Sequence, residues 1–152
     1  MHARDGVLWD WAVEAYGRPG VEDACLTLQD RHGQNVPLLL WAVWAKRDDP
    51  ALAARAAGLA REWDALAVSP LRVVRRSLKP TFNGIADSAR EALRQDVKAA
   101  ELLAERALLQ ALEAVAPPDG QADALSALLA ASSAWKKPAP GDALAVLAAA
   151  LG

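Results

Sequence analysis

The residues best suited to chemistry lie close together in a predicted second helix, from about Gly20 to Gly33. Cys25 and His32 are seven positions apart, so a helix places them on one face, and Gln29 lies at the edge of that face. A thiol beside an imidazole is the raw material of an activated nucleophile or a metal site. With the Trp residues that could line it, the possible pocket comprises Trp9, Cys25, Gln29, His32, Asn35, Trp41 and Trp44.

A structural role suits the same residues better. Cys25 stands mid-helix among apolar neighbours, where a thiol behaves as a small hydrophobe. His32 lies in the last helical turn, where an imidazole can bond free carbonyl groups. A metal needs three or four ligands, and the only other His is His2. We therefore assign no catalytic residue, metal or cofactor, and an enzyme is the less favoured class.

A basic face is the second feature, on a predicted fifth helix between Ser69 and Pro80. Its spacing of i, i+3, i+4 and i+7 places four cations on one side of the helix: Arg72, Arg75, Arg76 and Lys79. Three kinds of partner could neutralise them. One is an acidic side chain of this chain, the candidates being Glu62, Asp64, Glu101 and Glu105. The others are an acidic protein surface and the phosphate of RNA, DNA or a nucleotide.

Composition limits the class of protein. The 152 residues are 53% hydrophobic and 24% charged, with a formal net charge of −2, which is typical of one globular domain without a global basic field. A single Cys excludes an internal disulfide and fits a reducing compartment. Asp5, Asp10 and Glu14 interrupt the apolar run that a secretory signal needs. The expectation is a cytoplasmic protein without a membrane segment.

Helices must position both features, because about a quarter of the residues are Ala and no segment alternates like a strand. Gly17 and Gly33 predict the ends of the first two helices, and Asn35 predicts the cap of the third. Asp49-Pro50 and Ser69-Pro70 predict the starts of the fourth and fifth. Further segments are predicted at 83–116, 121–134 and 142–151. Helical spacing predicts one apolar stripe on the fourth helix, formed by Leu52, Ala56, Leu59, Trp63 and Leu66. The apolar positions of the pattern at 83–116 are Ile85, Ala89, Leu93, Val97, Leu103, Ala107 and Leu112.

The third helix, Val36 to Ala45, is apolar on every side, so it is predicted to be central and enclosed. The predicted fold is an all-α, single-domain bundle of six to eight helices around it. Pro117 to Gly120 is the clearest boundary, which divides a helical core at 1–116 from an Ala-rich extension at 117–152. Trp135 in that extension is predicted to be either exposed or a docking anchor.

Two sequence patterns resemble those of a known family. They are Pro19-Gly20-Val21-x-x-Ala24-Cys25-Leu26-x-Leu28-Gln29-Asp30 and, less specifically, Pro70-Leu71-Arg72-x-x-Arg75-Arg76-x-Leu78-Lys79. The chain resembles a bacterial family of short, all-helical, Trp-rich proteins, found mainly in proteobacteria and classed as a domain of unknown function. The resemblance covers roughly residues 7 to 112. It implies the fold and supplies no activity.

Three hypotheses of function follow. The first is a non-enzymatic interaction or regulatory module that presents the basic face, Arg72 to Lys79, to an acidic protein surface. The second is binding of a phosphate-bearing ligand or RNA by the same face. The third is an enzyme or small-molecule binder that uses the Trp-lined centre. Self-association stays open in each case.

Overall fold

The computed structural model describes residues 7–152, and every regular element in that range is helical. The elements are α1 (Val7–Tyr16), α2 (Val21–His32), α3 (Val36–Ala45), α4 (Pro50–Trp63), a π-helical turn (Asp64–Val68), α5 (Ser69–Ser77), α6 (Asp87–Glu113), α7 (Ala124–Ala134) and α8 (Gly141–Leu151). The all-α bundle that the sequence predicts is therefore confirmed. None of these helices combines the length and apolarity needed to cross a bilayer.

Helix α3 is the centre of the bundle. All its residues are buried except Val43 and Trp44, which are partly buried against the same core. The Asn35 side chain accepts a hydrogen bond from the Leu38 N–H at 2.9 Å, which caps the helix as predicted. At the preceding turn, Gly33 adopts φ 61°, the left-handed conformation that ends α2.

The junction of α4 and α5 differs from the prediction. Ser69-Pro70 does not begin a separate helix, because α4, the π turn and α5 form one uninterrupted helical run. The Ser69 N–H donates to the Asp64 carbonyl, five residues back, just before Pro70 removes the next donor. Within this wider turn Val68 is buried and Leu66 is not. Leu66, predicted to continue the buried stripe of α4, is 73% exposed.

Helix α6 runs unbroken for 27 residues, about 40 Å at the usual rise of 1.5 Å per residue. It is shorter than the predicted segment 83–116. Its second half buries Ala104, Leu108, Leu109 and Leu112, whereas residues 87–100 contain no buried side chain. Three residues predicted to face the core are exposed instead, namely Ile85, Leu93 and Leu103.

Residues 69–100, here called the α5–α6 hairpin, lie outside the core. None of these thirty-two consecutive residues is buried. Side-chain hydrogen bonds tie the hairpin together instead. The Arg90 guanidinium donates to the carbonyls of Leu78 and Lys79, at 2.6 and 2.9 Å, where α5 ends and its carbonyls have no helical partner.

The C-terminal helices belong to the same core as α1 to α3. Leu128 of α7 and Leu144 of α8 are fully buried, and both belong to the cluster that contains α3. Trp135 is a docking anchor, one of its two predicted roles, since its indole N–H donates to the Gly33 carbonyl at 2.8 Å. Residues 117–152 therefore contribute buried side chains to the same core as the residues before Pro117.

Candidate functional site

Two of the four cations on α5 converge on one buried carboxylate. Arg72 Nε lies 3.1 Å from one oxygen of Glu101 and Arg75 Nε lies 2.5 Å from the other. Arg72 also donates to the Gln29 side-chain oxygen at 3.3 Å. Glu101 is 6% exposed, and its hydrogen bond raises the pKa of Arg75. These two cations are therefore paired with an acidic side chain of the same chain, one of the three kinds of partner considered from the sequence, although one positive charge remains in excess.

The other two cations of the predicted basic face are exposed, and Lys79 lies beyond the end of α5 at Ser77. Arg76 contacts Asp30 at 3.1 Å, but both side chains are about half exposed, so this pair is weak. Lys79 is exposed and forms no ion pair with any of residues 7–152. The predicted four-cation face is thus not one free cluster. Its accessible part is Arg76 and Lys79, and whether these bind a partner stays a prediction.

Apolar side chains share this accessible surface. Fourteen large apolar side chains are exposed in residues 7–152, and eight of them lie between positions 66 and 103. Those within the α5–α6 hairpin are Val73, Val74, Phe82, Ile85 and Leu93. Soluble monomers seldom expose many large apolar side chains in one region without a use for them. The hairpin is therefore a candidate interaction surface.

Charge is distributed unevenly between the hairpin and the rest of the chain. The hairpin carries seven Lys and Arg residues against three Asp and Glu residues, a formal charge of +4. The rest of the chain carries ten against sixteen, a formal charge of −6. The overall charge of −2 is therefore the sum of a basic hairpin and an acidic remainder of the chain.

A cavity of about 590 Å³ is the second candidate site, formed by α1, α2, α3 and α6. Trp9 and Gln29, both predicted as pocket residues, line it. Its other lining residues are Ala12, Val13, Tyr16, Gly17, Glu22, Val36, Pro37, Leu40, Leu102, Glu105 and Leu109. A Trp-lined pocket therefore exists in the fold, with membership that differs from the prediction.

Five predicted pocket residues do not line this cavity. Cys25 and Trp41 are completely buried, and burial raises the pKa of the Cys25 thiol to about 12, so that it stays protonated. Asn35 is occupied as the cap of α3, and His32 lies partly buried in the last turn of α2. Trp44 borders two other surface depressions. The thiol of Cys25 is thus a buried part of the core, and neither Cys25 nor His32 lines the cavity.

Three polar residues that line the cavity, Tyr16, Glu22 and Glu105, are not among the predicted pocket residues. For Tyr16 and Glu105 the sequence does contain a signal. Trp9 and Tyr16 are separated by i, i+7, so α1 presents them on one face. Glu105 lies one turn after Glu101, among the apolar residues of the buried half of α6. A carboxyl group among the apolar residues of a buried helix face either pairs with a donor or cation or points into a cavity.

Glu105 is a partly buried carboxyl without a pairing partner among residues 7–152, whereas Glu22, the other carboxyl of the cavity, is exposed. Glu105 accepts no hydrogen bond from the part of the chain that the structure describes. Burial, followed by the negative charge of Glu101, raises its pKa to about 7, although Arg72 and Arg75 act in the opposite direction. Burial also raises the pKa of Tyr16 to about 12, so its hydroxyl remains neutral. The cavity therefore contains a titrating carboxyl beside a neutral phenol.

Comparison with known proteins identifies a family without an activity. Within residues 7–152, no group of three or more His, Cys, Asp or Glu residues is arranged to hold a metal ion. No curated protein and no solved structure matches the chain significantly. The model of one family, described as "Protein of unknown function (DUF2390)", matches residues 7–112. Since that match covers more than half of the sequence, the chain belongs to this family of unknown function.

Proposed function

We propose that this protein is a non-enzymatic interaction module whose α5–α6 hairpin docks on a partner protein. One observation carries the proposal. The hairpin buries none of its thirty-two residues in its own fold, yet it exposes Val73, Val74, Phe82, Ile85 and Leu93. Burial of such side chains against a partner releases about 25 cal/mol per Å² of apolar area.

Charge indicates an acidic partner surface. Of the accessible cations, Arg76 lies on α5 with Val73 and Val74, and Lys79 lies in the turn that follows this helix. Apolar residues combined with charged ones are typical of protein interfaces. A hairpin of charge +4 is attracted to acidic surfaces, and this attraction accelerates association and opposes basic partners. The predicted protein partner therefore combines acidic and apolar residues.

RNA or a phosphate ligand is a less suitable occupant of the same hairpin. Two of its arginines, Arg72 and Arg75, already contact Glu101 and cannot grip phosphate without breaking those pairs. Phe82 is the one aromatic residue in the hairpin on which a base could stack. Nucleic acid is therefore kept as an outcome of the test.

The proposed setting is the cytoplasm of a bacterium. The single Cys is buried and unpaired, which suits a reducing compartment. Subcellular fractionation of the native host, with detection by antibody, would place the protein directly.

Site-specific photocrosslinking in the native host tests the proposal. A photoreactive amino acid replaces Phe82 of the hairpin in one variant and Val146 of α8 in a matched control, since these positions are 67% and 60% exposed. We expect a defined protein to be captured from position 82 and not from position 146. RNase treatment before the analysis should leave that product unchanged.

Binding measurements with the purified protein and the captured partner then test which residues of the hairpin contribute to the affinity. Phe82→Ser combined with Lys79→Glu should weaken the captured partner's affinity at least tenfold, and added salt should weaken the wild-type complex. Val146→Ser should leave the affinity unchanged. The proposal fails if both positions capture the same set of proteins, if the product requires RNA, or if the captured protein is a second copy of this chain.

A further inference from the structure

The cavity between α1, α2, α3 and α6 has the dimensions of a small-molecule site. Its volume of about 590 Å³ lies within the range of about 300–1,000 Å³ that ligand pockets occupy. Val13, Val36, Leu40 and Leu102 provide apolar walls. A hydrocarbon or aromatic body of a ligand would therefore find a suitable surface there.

The polar groups of the cavity favour one sign of charge. Glu22 and Glu105 both line it, and its lining contains no Lys, Arg or His. Arg72 and Arg75, which lower the pKa of Glu105, are paired with Glu101, and the Arg106 guanidinium, which lies against the Trp9 ring, is not part of the lining. The cavity is thus an apolar site with carboxyl groups and no lining cation to neutralise them.

The aromatic residues of the cavity suit the same charge. Trp9 and Tyr16 line it together, and the faces of such rings attract cations. Trp9 already shows this behaviour, because the Arg106 guanidinium carbon lies 5.3 Å from its ring centroid. A bound ammonium group would find aromatic rings and a carboxyl group within one cavity.

We propose that this cavity binds an organic amine, in which an ammonium group pairs with Glu105 and an apolar body lies against Trp9, Leu40 and Leu102. Glu105 is the natural partner because no described residue donates a hydrogen bond to it. Glu22, which is exposed, lies at the solvent side and adds to the attraction. The amine site and the hairpin's docking surface are separate, since Val73 and Phe82 do not line the cavity.

Amine binding depends on pH through Glu105. The pKa of Glu105 is influenced by Glu101 on α6, Arg72 and Arg75 on α5, and Asp64 in the π turn. Glu105 in turn acts on Tyr16 of α1, as do Glu22 and Asp30 of α2. Arg106 of α6 lies against the Trp9 ring. Helix α3 contains no charged or titratable residue. An alkylammonium remains protonated between pH 6 and 8, whereas Glu105 ionises across that range. Affinity should therefore increase about tenfold from pH 6 to pH 8.

Three probes with one eight-carbon chain test the proposal: octylamine, octanol and octanoate. Binding to the whole protein is measured by calorimetry and by the change in Trp fluorescence. We expect octylamine to bind at least tenfold more tightly than octanol at pH 8, and octanoate to bind most weakly. Glu105→Gln should abolish the preference for octylamine and its pH dependence, while octanol affinity stays unchanged.

Two further variants separate the site from general effects. Val13→Trp fills the cavity at a position that is 53% exposed, so the protein should fold normally and lose affinity for all three probes. Glu62→Gln, on α4 and outside the cavity, should bind like wild type. The proposal is overturned if octylamine does not bind, if octanoate binds as tightly, or if Glu105→Gln or Val13→Trp leaves octylamine affinity unchanged.

Discussion

Glu101 is the side chain on which the attachment of the hairpin to the body depends. Its carboxylate receives Arg72 and Arg75 from α5, while the residue itself belongs to the half of α6 that packs in the core. Between them the two arginines place one positive charge in excess over Glu101. This arrangement joins an exposed projection to a buried body through charge and with few apolar contacts.

Glu101→Gln is expected to lower the free energy of unfolding by about 2 kcal/mol, because two half-buried guanidinium groups lose their counter-charge. Urea denaturation measures the loss. The matched control is Glu91→Gln on the same helix, where the carboxylate pairs with Arg94 but is 45% exposed. The free energy of unfolding of this variant should change by no more than about 0.5 kcal/mol. Equal losses in the two variants would contradict the role given to Glu101.

At the scale of elements, the C-terminal pair of helices is as much a part of the core as α3. Ser132 of α7 connects the C-terminal helices to the α2–α3 turn. Its hydroxyl donates to the Gln34 side chain at 2.8 Å and accepts from the Ala139 N–H at 2.8 Å. At the other end of α7, Gly120 donates to the Ala45 carbonyl, in a position where a Cβ would overlap the Lys46 carbonyl. The turn before α7 is therefore bonded to the end of α3, and the turn after α7 is bonded to the α2–α3 turn.

Leu128→Ala should lower the free energy of unfolding by about 2–5 kcal/mol, because it opens a cavity at a fully buried position of α7. Leu129→Ala on the same helix is the control, since that side chain is 42% exposed and a loss below about 1 kcal/mol is expected. Thermal unfolding followed by circular dichroism compares the two. Similar losses would mean that α7 does not contribute to the cooperative core.

Local signals made the first three helices predictable, and long-range packing made the later ones less so. Gly17, Gly33 and Asn35 end or begin helices through their own backbone and side-chain preferences. The π turn has no comparable signal, so Leu66 was assigned to the wrong face. The apolar spacing of α6 likewise could not show that only its second half reaches the core.

At the scale of the whole molecule, the candidate sites were only partly predictable. Trp9 and Gln29 were identified as pocket residues, because aromatic and amide groups on adjacent helices suggest a lined space. Glu105 was considered only as a partner for the α5 cations. Glu101 pairs with arginines and Glu105, one turn later, lines the cavity. The placement of α1 and α5 on α6 decides this difference. That placement is tertiary and leaves no mark in the spacing.

Stability should depend on pH through Glu105. Its pKa is raised from 4.5 to about 7, so the folded protein retains a proton that the unfolded chain has released between these values. Its contribution to stability is complete below about pH 4.5 and is lost as the pH rises through 7. Glu105→Gln should therefore match wild type near pH 4.5 and be more stable at pH 8. Urea denaturation across this range measures the difference, and a constant difference would exclude Glu105 as its source.

The fastening of the α2–α3 turn to the last two helices has a consequence for biosynthesis. The Gln34 side chain donates to the Lys137 carbonyl, and Trp135 donates to the Gly33 carbonyl, each across more than a hundred positions. A nascent chain therefore leaves the side of α3 that faces α7 uncovered until residues 124–134 have left the ribosome, while α1, α4 and α6 can already cover its other sides. Long-range closure of this kind is slow, and it leaves apolar surface open to chaperones and to aggregation in the meantime.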